Sequence, residues 1–164
     1  MQKVLVLLGR ASDREITYQG QEILRDFGIS YDIRFASTHL ALSAAQDMIL
    51  EFAKQGGKII LCVAASADHL AALASSLCQL PVLSVPLQGS PLLPYASGIP
   101  VATMSEGETG FIQAILLALQ IFASHDASLY KELQRYRHSQ AAQLLQIDLQ
   151  YRVTFDAKEN TFGL

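Results

Sequence analysis

The run Val4-Leu5-Val6-Leu7-Leu8 carries no polar residue, stops at Gly9, and passes through Arg10-Ala11-Ser12-Asp13 into a helix-like segment over residues 14–27. Valine and leucine without polar alternation describe a strand covered on both faces, as in a parallel α/β sheet. Ser12 and Asp13 are residue types that cap helix N-termini. Backbone N–H groups and a hydroxyl therefore gather at the carboxyl end of a buried strand, where α/β folds bind phosphorylated ligands.

The same unit recurs along the chain. Ile16, Ile23, Leu24 and Phe27 lie at helical spacing before a stop at Gly28, and residues 29–35 alternate apolar with polar as a strand with one drier face. Ala36-Ser37-Thr38-His39 leads into an amphipathic helix over residues 41–54 that ends at Gln55-Gly56-Gly57. Residues 58–65 form the most apolar strand, expected at the sheet centre, and Ser66-Ala67-Asp68-His69 follows it ahead of a small-residue helix over residues 70–78. Short strands are expected over residues 81–86 and 99–103, separated by a Pro/Gly-containing loop over residues 88–97. A long apolar helix over residues 111–123 places Ile112, Ile115, Leu116, Leu119 and Phe122 on one face, and a further helix runs from His125-Asp126 to Leu145. Alternation with short links predicts one parallel, doubly wound or related three-layer domain over residues 1–146. Residues 147–164 are expected as a C-terminal extension, because Ile147, Leu149, Tyr151, Val153 and Phe155 alternate with polar residues as an extended arm or a loose tail would.

Composition removes several classes of function. Hydrophobic residues make up 51% of the chain and charged residues 16%, so part of the surface is expected to be covered by subunit contacts. No apolar run reaches the ~18 residues that span a bilayer, and Met1-Gln2-Lys3 leads into the first strand without a signal-peptide pattern, so a cytoplasmic protein without membrane contact is expected. The net charge is -3 and basic residues are scattered, which argues against a nucleic-acid partner. Cys62 and Cys78 sit in apolar segments and read as buried thiols.

Three successive strands end in polar loops, at Gly9 to Asp13, Ser37 to His39 and Ser66 to His69, and in a parallel sheet these ends share one edge. Together they offer the hydroxyls of Ser12, Ser37, Thr38 and Ser66, the carboxylates of Asp13 and Asp68, and the imidazoles of His39 and His69. Two imidazoles at one edge suit general acid and base work. Two histidines without a third ligand at fixed spacing make no metal site, the Gly107 to Gly110 segment lacks the lysine of a P-loop, and Ala64-Ala65 stands where a receiver domain carries its aspartate.

These loops resemble those of the PurE family, the N5-carboxyaminoimidazole ribonucleotide mutases. The family motif G-S-x-S-D is matched by Gly9-Arg10-Ala11-Ser12-Asp13, S-A-H-R by Ser37-Thr38-His39-Leu40, and the run closing in A-A-H-L-P-G by Ala65-Ser66-Ala67-Asp68-His69-Leu70-Ala71-Ala72. Pro81-Val82-Leu83-Ser84-Val85-Pro86, Gly98-Ile99-Pro100-Val101-Ala102-Thr103 and Gln113-Ala114-Ile115-Leu116-Leu117-Ala118 follow in family order. The resemblance implies a three-layer α/β/α fold with a parallel, flavodoxin-like sheet and a C-terminal helix. It also implies a homo-octamer that uses no metal or organic cofactor and moves a carboxylate from the exocyclic nitrogen to a ring carbon of a small-molecule ribonucleotide in purine biosynthesis. By position, Gly9, Ser12 and Asp13 would bind the ribose phosphate, Ser37 and Thr38 would line the site, and His39 would shuttle the proton. His69 with Ala65 and Ser66 would line the carboxylate pocket.

The departures from the pattern cluster at the same loops. Arg10 replaces the first serine, Leu40 the arginine after the histidine, Ala65-Ser66 a glycine pair, and Ala71 and Ala72 the proline and glycine; the loop over residues 88–97 is also shorter. A guanidinium at Arg10 can grip phosphate bidentately and so replace the lost hydroxyl and cation. Three readings stay open: an active mutase, a catalytically silent relative that binds another phosphorylated nucleoside as a sensing or structural module, and an enzyme for a related ribonucleotide that uses Asp68 beside His69.

Overall fold

The structure is a computed structural model that describes residues 3–65, 68–90 and 94–159, with side chains as far as residue 150. It divides between Ile121 and Phe122 into two compact units.

In the first unit, β1 (Lys3–Leu8), β2 (Ser30–Phe35), β3 (Ile59–Ala64), β4 (Val82–Pro86) and β5 (Ala102–Thr103) form one sheet in the order β2-β1-β3-β4-β5. Every pairing is parallel, and the order is that of flavodoxin-like folds. β1 and β3 are central and carry the unbroken apolar runs, whereas β2 lies at the edge and keeps its polar alternation. β5 is shorter than residues 99–103 led us to expect. Pro100 has no N–H to give to a ladder, and its carbonyl instead accepts the Ser75 hydroxyl at 2.9 Å, leaving only Ala102 and Thr103 to pair with Leu83 and Ser84.

Strand alternation divides the core between the two faces of the sheet. Leu5, Leu7, Ile60, Cys62 and Val82 face α2 (Leu42–Lys54) and α3 (Leu70–Leu77) through Ala45, Ile49, Phe52, Leu70 and Ala74. On the other face, α4 (Gly107–Ala123) approaches Val85 at Gly110 and meets α1 (Tyr18–Asp26) where Gly20 lies against Phe111 and Ile115. This makes the α/β/α sandwich. Of the face expected for α4, Ile115, Leu119 and Phe122 are buried, but Phe111, Ala114 and Ala118 are buried with them while Ile112 and Leu116 are only half-buried, so the buried face is turned toward the alanines. The alanines allow the close approach. Cys62 is buried as expected, and burial, with Cys78 adding to it, pushes its thiol far above the ordinary range, so it stays a neutral apolar filler; Cys78 is only half-buried.

In the second unit, α5 (Ala127–Glu159) starts at Asp126, whose carboxylate Oδ1 accepts the N–H groups of Ser128 and Leu129 at 3.0 and 3.1 Å. Leu129 and Leu133 are buried, and residues 137–150 are exposed. The expected extended arm is not formed, since the helix passes residue 147 without a break. Once α5 is nucleated at its cap, a segment without proline or glycine propagates it one hydrogen bond at a time, and the two-residue alternation of residues 147–155 has no such advantage to offer. Among the described residues no helix is long and apolar enough to cross a membrane.

Gly20 separates two opposing effects. An alanine would gain about 1 kcal/mol in helix propensity, but its Cβ would stand inside the contact distance of the fully buried Phe111 ring, and such overpacking costs ~1–3 kcal/mol. With the Cβ this deep in the ring the clash wins, so Gly20→Ala lowers the urea midpoint by the equivalent of up to ~2 kcal/mol; an unchanged or raised midpoint would show that the α1–α4 contact is slack.

Candidate functional site

The register of β1 fixes where the polar loops leave the sheet. Leu8 lies level with Phe35 on one side and Val63 on the other. One residue later the Gly9 N–H donates to the Val63 carbonyl at 3.0 Å, and the Ala36 N–H donates to the Leu8 carbonyl at 3.0 Å. The three loops therefore start from one level of the same edge.

In the first loop the backbone is extended at Arg10 and then turns into a 3₁₀ segment, Ala11–Thr17, closed by the Asp13 N–H on the Arg10 carbonyl at 3.1 Å. The expected capping by Ser12 and Asp13 is not what forms. Arg10 occupies the cap position without a side-chain capping bond, and Ser12 and Asp13 lie inside the tight helix. There the buried Asp13 carboxylate accepts from side chains: Ser12 Oγ at 3.2 Å, Arg10 Nη2 at 3.3 Å and Arg10 Nε at 3.5 Å. The guanidinium that the sequence assigned to phosphate is thus paired with Asp13.

The second loop is a turn in which the Leu40 N–H donates to Ser37 Oγ and the Ala41 N–H to the Ser37 carbonyl, both at 3.1 Å. It presents His39, 62% exposed, at the sheet edge. The Thr38 hydroxyl crosses to the third loop and donates to the Asp68 carbonyl.

In the third loop the Asp68 N–H donates to the Ala65 carbonyl at 2.9 Å. Asp68 Oδ1 lies 4.0 Å from His39 Nε2, and Oδ2 packs so close to Gly9 that a Cβ there would come within 3.0 Å of it. Glycine at position 9 makes the room. His69 then takes a left-handed backbone at φ 50°, alone among the described non-glycine residues, and opens α3. That conformation costs about 1 kcal/mol for a side-chain-bearing residue, and such strain collects at functional positions. Ser66 lies outside the described residues.

The geometry brings together Gly9, Thr38, His39 and Asp68, with Arg10, Ser12 and Asp13 joined to one another beside Gly9. Asp68 is the residue that the motif comparison left out of its site. Its position two residues before α3, in the loop after the central strand, was the available signal. An exposed imidazole beside a carboxylate can exchange protons, a buried carboxylate can accept hydroxyl hydrogen bonds, and a guanidinium can hold an oxyanion. A separate cleft of about 470 Å³, lined by Lys131, Gln134, Arg135 and His138 of α5, contains none of these residues.

A domain of this fold with this edge has clear relatives. The model of the family described as AIR carboxylase matches residues 3–143. The N5-carboxyaminoimidazole ribonucleotide mutase of Brucella melitensis biotype 1 is 33% identical over 150 residues, 84% of this chain and 90% of that one. The enzyme of the same name from Saccharolobus solfataricus is 35% identical over 144 residues, 81% and 86% of the two chains. In fold, the crystal structure of Treponema denticola PurE matches with a TM-score of 0.79 at 24% identity over 92% of this chain and 98% of that chain. The chain belongs to the AIR carboxylase family, the PurE family.

Thr38 is the tie between the second and third loops. Thr38→Val keeps the shape and removes the hydroxyl, leaving the Asp68 carbonyl without this donor, for an expected stability loss of about 1 kcal/mol. Hydrogen exchange of the Asp68 and His69 amides should rise with it, and unchanged exchange would mean that the tie does not order the third loop.

Proposed function

We propose that this chain is a PurE-type mutase, moving a carboxylate from the exocyclic nitrogen to the ring carbon of aminoimidazole ribonucleotide in purine biosynthesis. The observation that carries the reading is the approach of His39 to the third loop at 4.0 Å, at the edge where Gly9, Arg10, Ser12 and Asp13 also lie. In this reading Asp13, with Ser12, accepts the ribose hydroxyls, and Arg10 faces the phosphate. Ser37 and Thr38 shape the wall, and Ala65 and His69 border the pocket for the migrating carboxylate, the part the resemblance also gives to Ser66.

The proton balance needs one shuttling group. As the N–CO₂⁻ bond breaks and carbon dioxide departs, the exocyclic nitrogen takes a proton from His39. The ring carbon then attacks carbon dioxide and returns its own proton to His39. Carbon dioxide diffuses away easily, so loops that exclude water and hold it near the ring raise the yield of the second step. The transfer uses proton movement alone and asks for no metal or organic cofactor. Assembly into a homo-oligomer, an octamer in the family pattern, is part of the same proposal, and so is a cytoplasmic setting.

Incubation of the wild-type chain with either carboxylated isomer should yield the other. His39→Asn removes the titrating group at an exposed position, so turnover should fall by ~10²–10⁴-fold while sedimentation and melting stay as in wild type. Absence of turnover by wild-type protein with both isomers would overturn the mutase reading in favour of a silent relative.

A further inference from the structure

The loop after β1 contains a pair that divides the labour of ligand recognition. Arg10 Nη2 and Nε stand 3.3 and 3.5 Å from the two oxygens of Asp13, with the Asp13 side chain 5% exposed and that of Arg10 63% exposed. These separations exceed the ~2.7–2.9 Å of tight charge-assisted hydrogen bonds, so the fork is a loose partner for the carboxylate. The backbone around it is fixed by the Gly9 N–H on Val63 and the Asp13 N–H on Arg10, which leaves the arginine side chain as the part able to move. Asp13 keeps a second donor, Ser12 Oγ at 3.2 Å, when the fork leaves.

We infer that Arg10 is a specificity-determining residue that makes the site select phosphorylated over unphosphorylated ribosides by exchanging its partner, from the Asp13 carboxylate to the ligand phosphate. The inference rests on the ribonucleotide reading above. A phosphate offers a guanidinium more charge and the same bidentate geometry as a carboxylate. A ribonucleotide brings both replacement partners: its phosphate takes the fork, and its ribose hydroxyls take the acceptor oxygens that the fork covered. A nucleoside brings hydroxyls alone. It must displace the guanidinium from Asp13 while offering no anion in return, so the Arg10–Asp13 pair counts against it. An arginine that merely touched phosphate would help nucleotides and leave nucleosides indifferent; one paired to the ribose acceptor penalises nucleosides as well.

Titration calorimetry with aminoimidazole ribonucleotide and with its dephosphorylated nucleoside separates these cases. Arg10→Ala should weaken the nucleotide by ~10–100-fold and tighten the nucleoside by ~3–10-fold, a reversal of sign between the two ligands. Arg10→Gln, neutral and of similar reach, should behave the same way and serves if the alanine variant melts early. Equal weakening of both ligands would reduce Arg10 to a structural support, and an unchanged nucleoside affinity would reduce it to a plain phosphate contact; either result overturns the inference. Binding of neither ligand by the wild-type chain overturns it too. The readout is independent of turnover. A reversal in a chain without mutase activity sustains the inference and sinks only the mutase reading, whereas turnover without a reversal does the opposite.

Discussion

Everything at the functional edge depends on the parallel register of β1 with its two neighbours. With Leu8 level with Phe35 and Val63, the hydrogen bonds that continue the ladder, Gly9 on Val63 and Ala36 on Leu8, make the first residues of the loops part of the sheet itself. A one-residue slip would turn every buried side chain of β1 to the wrong face, and the cores on both faces of the sheet forbid it. The positions of His39, Asp68 and Gly9 relative to one another are therefore set by core packing through Leu5, Leu7, Ile60 and Cys62. The loops add only short-range detail.

That division explains what was legible in the sequence. The strand–helix order, the central place of residues 58–65 and the convergence of the first three loops follow from patterns of apolar residues, and apolar burial is the dominant driving force for folding. Weaker, local interactions decide the features that the patterns do not convey. The Ser12 and Asp13 side chains have several acceptors and donors within one turn, and side-chain pairing with Arg10 prevails over the capping that their residue types favour. Residue size points to one face of α4, whereas the close approach of α1 at Gly20 selects the alanine-containing side. Residues 147–155 carry a strand-like alternation, but alternation specifies a strand only where a sheet supplies pairing partners, and continuation of a capped helix needs none.

Asp68 shows the limit of motif matching from the opposite direction. It has no counterpart in the family pattern, so position-by-position transfer passes over it. The fold nevertheless places it against Gly9 and beside His39, with its carbonyl accepting the Thr38 hydroxyl. Its carboxylate is 29% exposed and lies 4.0 Å from the imidazole, a geometry in which solvent screening keeps the attraction modest. The two groups are neighbours at the edge without a direct hydrogen bond between them.

The charges of the edge have been rearranged as a set. Where the family pattern has an arginine after the histidine, this chain has Leu40, 91% exposed, so the second loop has lost its cation. The first loop has gained one in Arg10 and the third has gained an anion in Asp68. The cation is also partly neutralised, because Asp13 shares it. On the ribonucleotide reading proposed above, phosphate and ribose recognition would be coupled through the single guanidinium that Asp13 shares. Substituting one member of the Arg10–Asp13 pair should therefore alter both halves of ligand recognition at once, and the effects of the two single substitutions will not add.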